Sequence, residues 1–200
     1  MADEPAYLRN LRALTRADPT FEHLEALEKE LYASASDRAT AVMFGSFVEV
    51  ALERLLSSKM RQLNSKDRKR VFEYEGALGT FASKTVVAYA LQLLGPVTRS
   101  DLDLVRFLRN EFAHSRMPFN FQTLEVAEVC KHLKYPELAG SFIPHGYLNR
   151  VSDESLKTAV DRNSPKTRFI IACHNLSYRM IYATHGAQAG DTVFEEPVLP

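Results

Sequence analysis

Between Arg106 and His114 the sequence reads RFLRNEFAH, which sets two arginines, an asparagine, a glutamate and a histidine into an otherwise apolar helical stretch. Three of these could do chemistry together: Arg109 as a cation, Asn110 as an amide and His114 as an imidazole. A guanidinium can hold a phosphate through two parallel hydrogen bonds, and a histidine can move the proton that phosphodiester cleavage requires. Such a reaction needs no metal. Asn110 and His114 are four apart and share a helix face. Arg109 and His114 lie about 140° apart on a regular helix, so a straight helix cannot aim both at one atom. Convergence requires the helix to fray near Ala113 or two copies to meet across a dimer axis. The other reading is an ordinary polar helix end, with His114 over last-turn carbonyls and Arg109 on a surface carboxylate.

The helix that carries these residues must bury Leu104, Val105, Leu108 and Phe112. It is expected to stop before Pro118, because a proline pushes the residue before it, Met117, out of helical geometry. Ser100, three residues before Asp103, resembles a capping box near its start. Upstream, Asp18 and Pro19 open an amphipathic helix reaching Leu31, and Ser36 with Asp37 open a second. The middle of that second helix, Ala39 to Leu56, is apolar nearly all round, as a central helix would be. Residues 57–76 read as polar and turn-like, and TFASKTVVAYALQLLGP as a helix closed by Gly95 and Pro96. Further helices are expected over 122–134, 153–162 and 165–185, the last opening with Ser164 and Pro165. A long connection spans 135–152, and the tail 186–200 lacks periodicity. The expected fold is all-α: a single-domain bundle of about six or seven helices over residues 1–185.

Twenty-five basic residues balance twenty-five acidic ones, so any contact with nucleic acid must be a local patch. The strongest local asymmetry lies at 59–70, where Lys59, Arg61, Lys66, Arg68, Lys69 and Arg70 face a single Asp67. A solvated connection explains it, as charge runs usually are; a phosphate-tracking strip is the functional alternative. Lys66, Arg68, Lys69 and Arg70, with Arg106 and Arg116, are the residues expected to meet nucleic acid. No helix-turn-helix pattern, zinc-finger spacing or Gly-rich phosphate loop accompanies them.

No metal site is expected, since no two histidines stand four apart, and no cofactor is expected. Cys130 beside His132, and Cys173 beside His174, read as buried thiols next to surface histidines. MADEPAYLRN has no apolar run behind a basic head, and no stretch approaches the roughly 20 apolar residues of a membrane span. A cytoplasmic protein with reduced cysteines and no membrane contact is the expectation.

Arg109-Asn110, three further residues and His114 resemble the Arg-polar-x3-x5-His motif of the HEPN superfamily, which includes many metal-independent RNases. SDRATAVMFGSFVEVALERLL (36–56), GTFASKTVVAYALQLL (79–94) and DLDLVRFLRNEFAHS (101–115) together resemble the mannitol repressor family, within the HEPN-like group. The resemblance covers residues 36–135; a neutral charge and a longer 135–152 connection depart from it. It implies a homodimer that regulates gene expression through a protein or RNA partner; with zero net charge and no groove-reading element, the isolated chain is expected not to bind duplex DNA specifically. An endoribonuclease of the toxin or defence type, using Arg109, Asn110 and His114 across the dimer, is the alternative it implies. A non-catalytic interaction scaffold is the second alternative.

Overall fold

The local signals at Ser36 and Asp37 do open a long helix. The Ser36 hydroxyl accepts the Ala39 amide at 3.2 Å, and the helix α1 runs Asp37–Ser58. In the computed structural model, residues 36–138 and 163–186 are described, with Pro5, Ala6, Asn10 and Leu11. The described part is all-helical, as the periodicity implied. Backbone contacts divide the chain into two units, Met1–Ala35 and Ser36–Pro200. In the first unit Ala6, Asn10 and Leu11 are helical. In the second, α1 is followed by α2 (Ser65–Phe72), α3 (Phe81–Ala90), α4 (Pro96–His114), α5 (Leu124–Lys131), α6 (Tyr135–Leu138) and α7 (Pro165–Gly186). Helix α1 is central, with α3, α4 and α7 packed around it. Its buried residues, from Ala41 through Phe44, Val48 and Leu52 to Leu55 and Leu56, recur at helical spacing.

Several boundaries differ from expectation for identifiable reasons. The stretch 57–76 contains α2, because Asn64 caps it by accepting the Asp67 amide at 2.9 Å. Thr80 and Ser83 cap α3 reciprocally, but α3 stops at Ala90, and Gln92 takes a left-handed φ of 58°. Gly95 and Pro96 therefore do not close α3; they open α4, with proline in the first turn where it lacks no needed donor. Ser100 lies inside α4 and caps nothing there. The helix expected over 122–134 is shorter, and the connection after it begins with α6. Ser164 opens α7 as expected, its hydroxyl accepting the Thr167 amide at 3.1 Å. The helices expected over 18–31 and 153–162, residues 139–152 and the tail from 187 lie outside the described residues.

The corner between α5 and α6 is held from two sides. Fully buried Asp101 of α4 accepts the amides of Lys134 and Tyr135 at 2.8–3.0 Å, satisfying the orphan donors where α6 begins. From α7, Arg168 donates to the carbonyls of Cys130, Lys131 and Leu133 at 2.8–3.3 Å, where α5 ends, and pairs with Glu137 at 2.6 Å. Tyr135 and Thr98 share a buried hydroxyl hydrogen bond of 2.8 Å. Phe112, Phe119, Phe121 and Phe169 form a continuous ring contact from α4 to α7.

Burial raises the Asp101 carboxyl from the ordinary 3.8 to about 6, outweighing its two backbone donors. The folded state thus binds this proton more tightly than the unfolded state. The resulting stability is fully present below about pH 4 and is lost as pH rises through 6. Asp101→Asn keeps one acceptor oxygen and cannot titrate. Against that variant, wild type should gain about 3 kcal/mol of unfolding free energy between neutral pH and the unfolded pKa. Urea titrations of both proteins at stepped pH measure it, and a constant difference would refute the assignment.

Candidate functional site

Helix α4 crosses α1 in the opposite direction, and the site is defined by what that crossing does to Arg109. At one end Arg38 donates to the Ser115 carbonyl at 3.1 Å. Farther along, a β-carbon built on Gly45 would lie 2.7 Å from both Cβ and Cγ of Arg109. Only a glycine admits the Arg109 stem at that point. The guanidinium then extends along α1, with Nη2 3.6 Å from Glu49 Oε2, while Nη1 donates to the Asn110 amide oxygen at 2.8 Å. Its Nε is enclosed, with no hydrogen-bond partner among the described residues.

Glu49 continues the polar connections. Its other oxygen meets Lys84 Nζ of α3 at 3.0 Å, and the same ammonium meets Glu53 Oε2 at 3.1 Å. Glu53 Oε1 in turn meets Arg68 Nη2 of α2 at 3.1 Å, and Arg68 also donates to the Ser57 hydroxyl at 3.2 Å. Opposite charges alternate from Arg109 through Glu49, Lys84 and Glu53 to Arg68, joining four helices. Lys84 is buried, and a buried ammonium requires such partners.

His114 is the last residue of α4 and exposed, with no hydrogen bond or ion pair to another described residue. The helix does not fray at Ala113; the Ser115 amide still closes onto the Glu111 carbonyl at 3.0 Å. Arg109 and His114 therefore keep regular helical separation, and the single chain does not bring them onto a common atom. Asn110 and His114 do share the outer face of α4, beside Phe107, which is 47% exposed. Leu108 and Phe112, each 1% exposed, are buried in the core as expected and do not belong to that face.

The basic residues do not form one strip. Arg68 turns inward to Glu53, and Arg106 pairs with Asp103 on α4 at 3.5 Å. Lys66, Lys69 and Arg70 remain exposed on α2. Arg116 is exposed beyond the end of α4, next to Ser115 and thus near Arg38. Arg38 and Glu53 are separated by about 23 Å of α1 at 1.5 Å per residue, so Arg116 and the α2 lysines stand at opposite ends of that helix.

Glu49, Glu53, Lys84 and Gly45 escaped the sequence reading. Their signal was charge at i, i+4 on an apolar helix, and a lone lysine in ASKTVVA. Cys130 and Cys173 are buried thiols, and His132 is exposed as expected. His174 is instead buried and stacked on Tyr178 at 4.4 Å between ring centres, because α7 turns this face inward. Among the described residues no cluster of His, Cys, Asp or Glu could hold a metal ion, and no helix is long and apolar enough to cross a membrane. Comparison with protein-family models, curated proteins and solved structures finds no match to the chain.

Two substitutions test this arrangement. Gly45→Ala should cost about 1–3 kcal/mol by overpacking, despite the better helix propensity of alanine. Lys84→Met should cost about 2–3 kcal/mol, below a fully enclosed pair because water still reaches both glutamates. Chemical denaturation measures each, and an unchanged midpoint in either variant would show that the contact does not constrain the bundle.

Proposed function

We propose that the protein is a mannitol-repressor-like, HEPN-type regulator of gene expression, dimeric through the outer face of α4 and acting through a protein or RNA partner. The observation that supports binding over cleavage is the engagement of Arg109 within its own protomer. Two of its nitrogens face Asn110 and Glu49, and the third is enclosed. A phosphate would have to displace Glu49 to be held bidentately. Phe107, Asn110 and His114 supply the outward surface of α4, an apolar centre with polar flanks of the kind subunit contacts use.

A second reading is favoured by one feature. His114 sits exposed at the helix end on the dimerising face, so a partner protomer could bring an arginine to it. That would make the protein a metal-independent endoribonuclease with a composite site of Arg109 and His114.

Sedimentation of wild type should give a dimer, and Phe107→Asp should shift it to monomer. Labelled RNA incubated with the dimer and a chelator should remain intact, and footprinting of the isolated protein on duplex DNA should show no protected operator. Cleavage that survives the chelator and falls about 10²- to 10⁴-fold in His114→Ala would replace the regulator with the nuclease. A protein that is monomeric at every concentration would overturn both readings.

A further inference from the structure

Helix α2 has little reason to exist as a packing element. Of its eight residues only Phe72 is buried. Arg68 ties the helix to α1 through Glu53 and Ser57, and its guanidinium lies 5.4 Å from the ring centre of Phe72, four residues on. Lys66 and Arg70, also four apart, lie on the opposite side, and Lys69 flanks them. None of the three forms an ion pair with another described residue. Of the carboxylates around α2, Asp67 accepts from the Asn64 amide and Glu53 takes Lys84 and Arg68, while Glu73 and exposed Glu75 flank Tyr74 in the turn beyond the helix.

Just past α2, Tyr74 is 87% exposed, more than any other large apolar side chain of the described residues. It is not carried on a long loop. The Gly76 amide donates to Glu73 O at 2.6 Å, and the Leu78 amide to Val71 O at 2.7 Å, folding the turn back onto the end of α2. A β-carbon at Gly76 would meet the Val71 carbonyl oxygen at 2.5 Å, so the tightness of this turn depends on glycine. The ring is thus held outward, within a few residues of Arg70. At the other end of α2, Arg61 and Gln62 line an open depression of about 160 Å³ between α1 and α2.

We propose that the outer face of α2 and the turn after it bind a single strand of nucleic acid, Lys66, Lys69 and Arg70 meeting phosphates and Tyr74 stacking on a base. Lys66 and Arg70 are one helical turn apart, about 5–6 Å between β-carbons, a step that neighbouring phosphates of one strand can follow. An exposed ring beside a row of cations is the arrangement that single strands use, because every unpaired base offers a flat face. A duplex hides those faces within its own stack. A lipid surface would want apolar side chains on the same face as the cations, and the large apolar residue of α2 is buried beneath it. This proposal concerns a surface separate from the α4 face and stands or falls apart from it.

Fluorescence anisotropy with labelled 12-mers of RNA and DNA, single-stranded and duplex, tests it between about 50 and 200 mM salt. Wild type should bind single strands in preference to duplex. Tyr74→Ala should weaken binding about 5- to 150-fold, while Tyr74→Phe keeps it. Replacing Lys66, Lys69 and Arg70 together by glutamine should make the log–log salt dependence shallower by about 2. Tighter binding of RNA than DNA would add recognition of the ribose hydroxyl, and equal binding would assign the surface to single strands generally. The proposal is overturned if wild type binds neither strand at the lowest salt, or if duplex, polyglutamate or phosphatidylserine vesicles bind equally well. It is also overturned if Tyr74→Ala binds like wild type. All four side chains are exposed, so circular dichroism of the variants should match wild type; should the triple variant misfold, the Tyr74 pair decides alone.

Discussion

One ammonium group sets the arrangement of the polar half of this bundle. Lys84 is buried against α1, where Glu49 and Glu53 meet its ammonium from successive turns of that helix. A buried charge held by two carboxylates adds little net stability, since desolvation offsets much of the attraction. What it does fix is register. Sliding α3 by one residue would rotate the ammonium away from both partners and leave it buried without compensation. With Lys84 in place, the outer oxygens of the same two glutamates orient Arg109 on α4 and Arg68 on α2. The apolar face of α1 is then left to α7, which packs along it more extensively than any other described pair of helices.

This division explains why the chemically suggestive residues do not converge. Arg109 enters the α1–α4 crossing because Gly45 leaves room for its stem, and there it meets Glu49 before it could meet anything outside. His114 is carried past the crossing to the helix end, where the chain turns away at Ser115 before Pro118. Arg68 serves as a strut beneath α2, which frees the other cations of that helix to face outward. The two ends of α1 thus have different roles, and changes at one end should add independently to changes at the other at such separations.

Local signals were readable from the chain. Ser36 and Ser164 cap helices because a hydroxyl meets an amide three residues away, an interaction wholly contained in the sequence window. The stop before Pro118 is similarly local. Gly95-Pro96 misled because the same dipeptide can end one helix or begin another; the buried Leu94 that places it at a beginning is a tertiary fact. Helix α2 was hidden by its charge, although Asn64 and Asp67 carried a legible cap. The pairing of Arg109 was not legible at all. Glu49 is sixty positions away, and nothing in the spacing of RNEFAH names it. For Asp101 and Arg168, the groups they satisfy are backbone amides and carbonyls, which leave no mark on side-chain composition.

The pairing of α1 with α7 has a consequence for how the chain comes to be folded. Lys166 meets Asp37 at 2.9 Å, so these two 22-residue helices start side by side although well over a hundred positions separate them. Contacts between such distant segments close a large loop and form slowly. During synthesis, α3 and α4 become available to α1 long before α7 does. Until α7 emerges, a nascent chain carries an apolar stripe on its most central helix with no counterpart, the condition in which association with other chains competes with folding. Chains truncated ahead of residue 165 should accordingly be recognised by their tendency to aggregate rather than by a loss of helix.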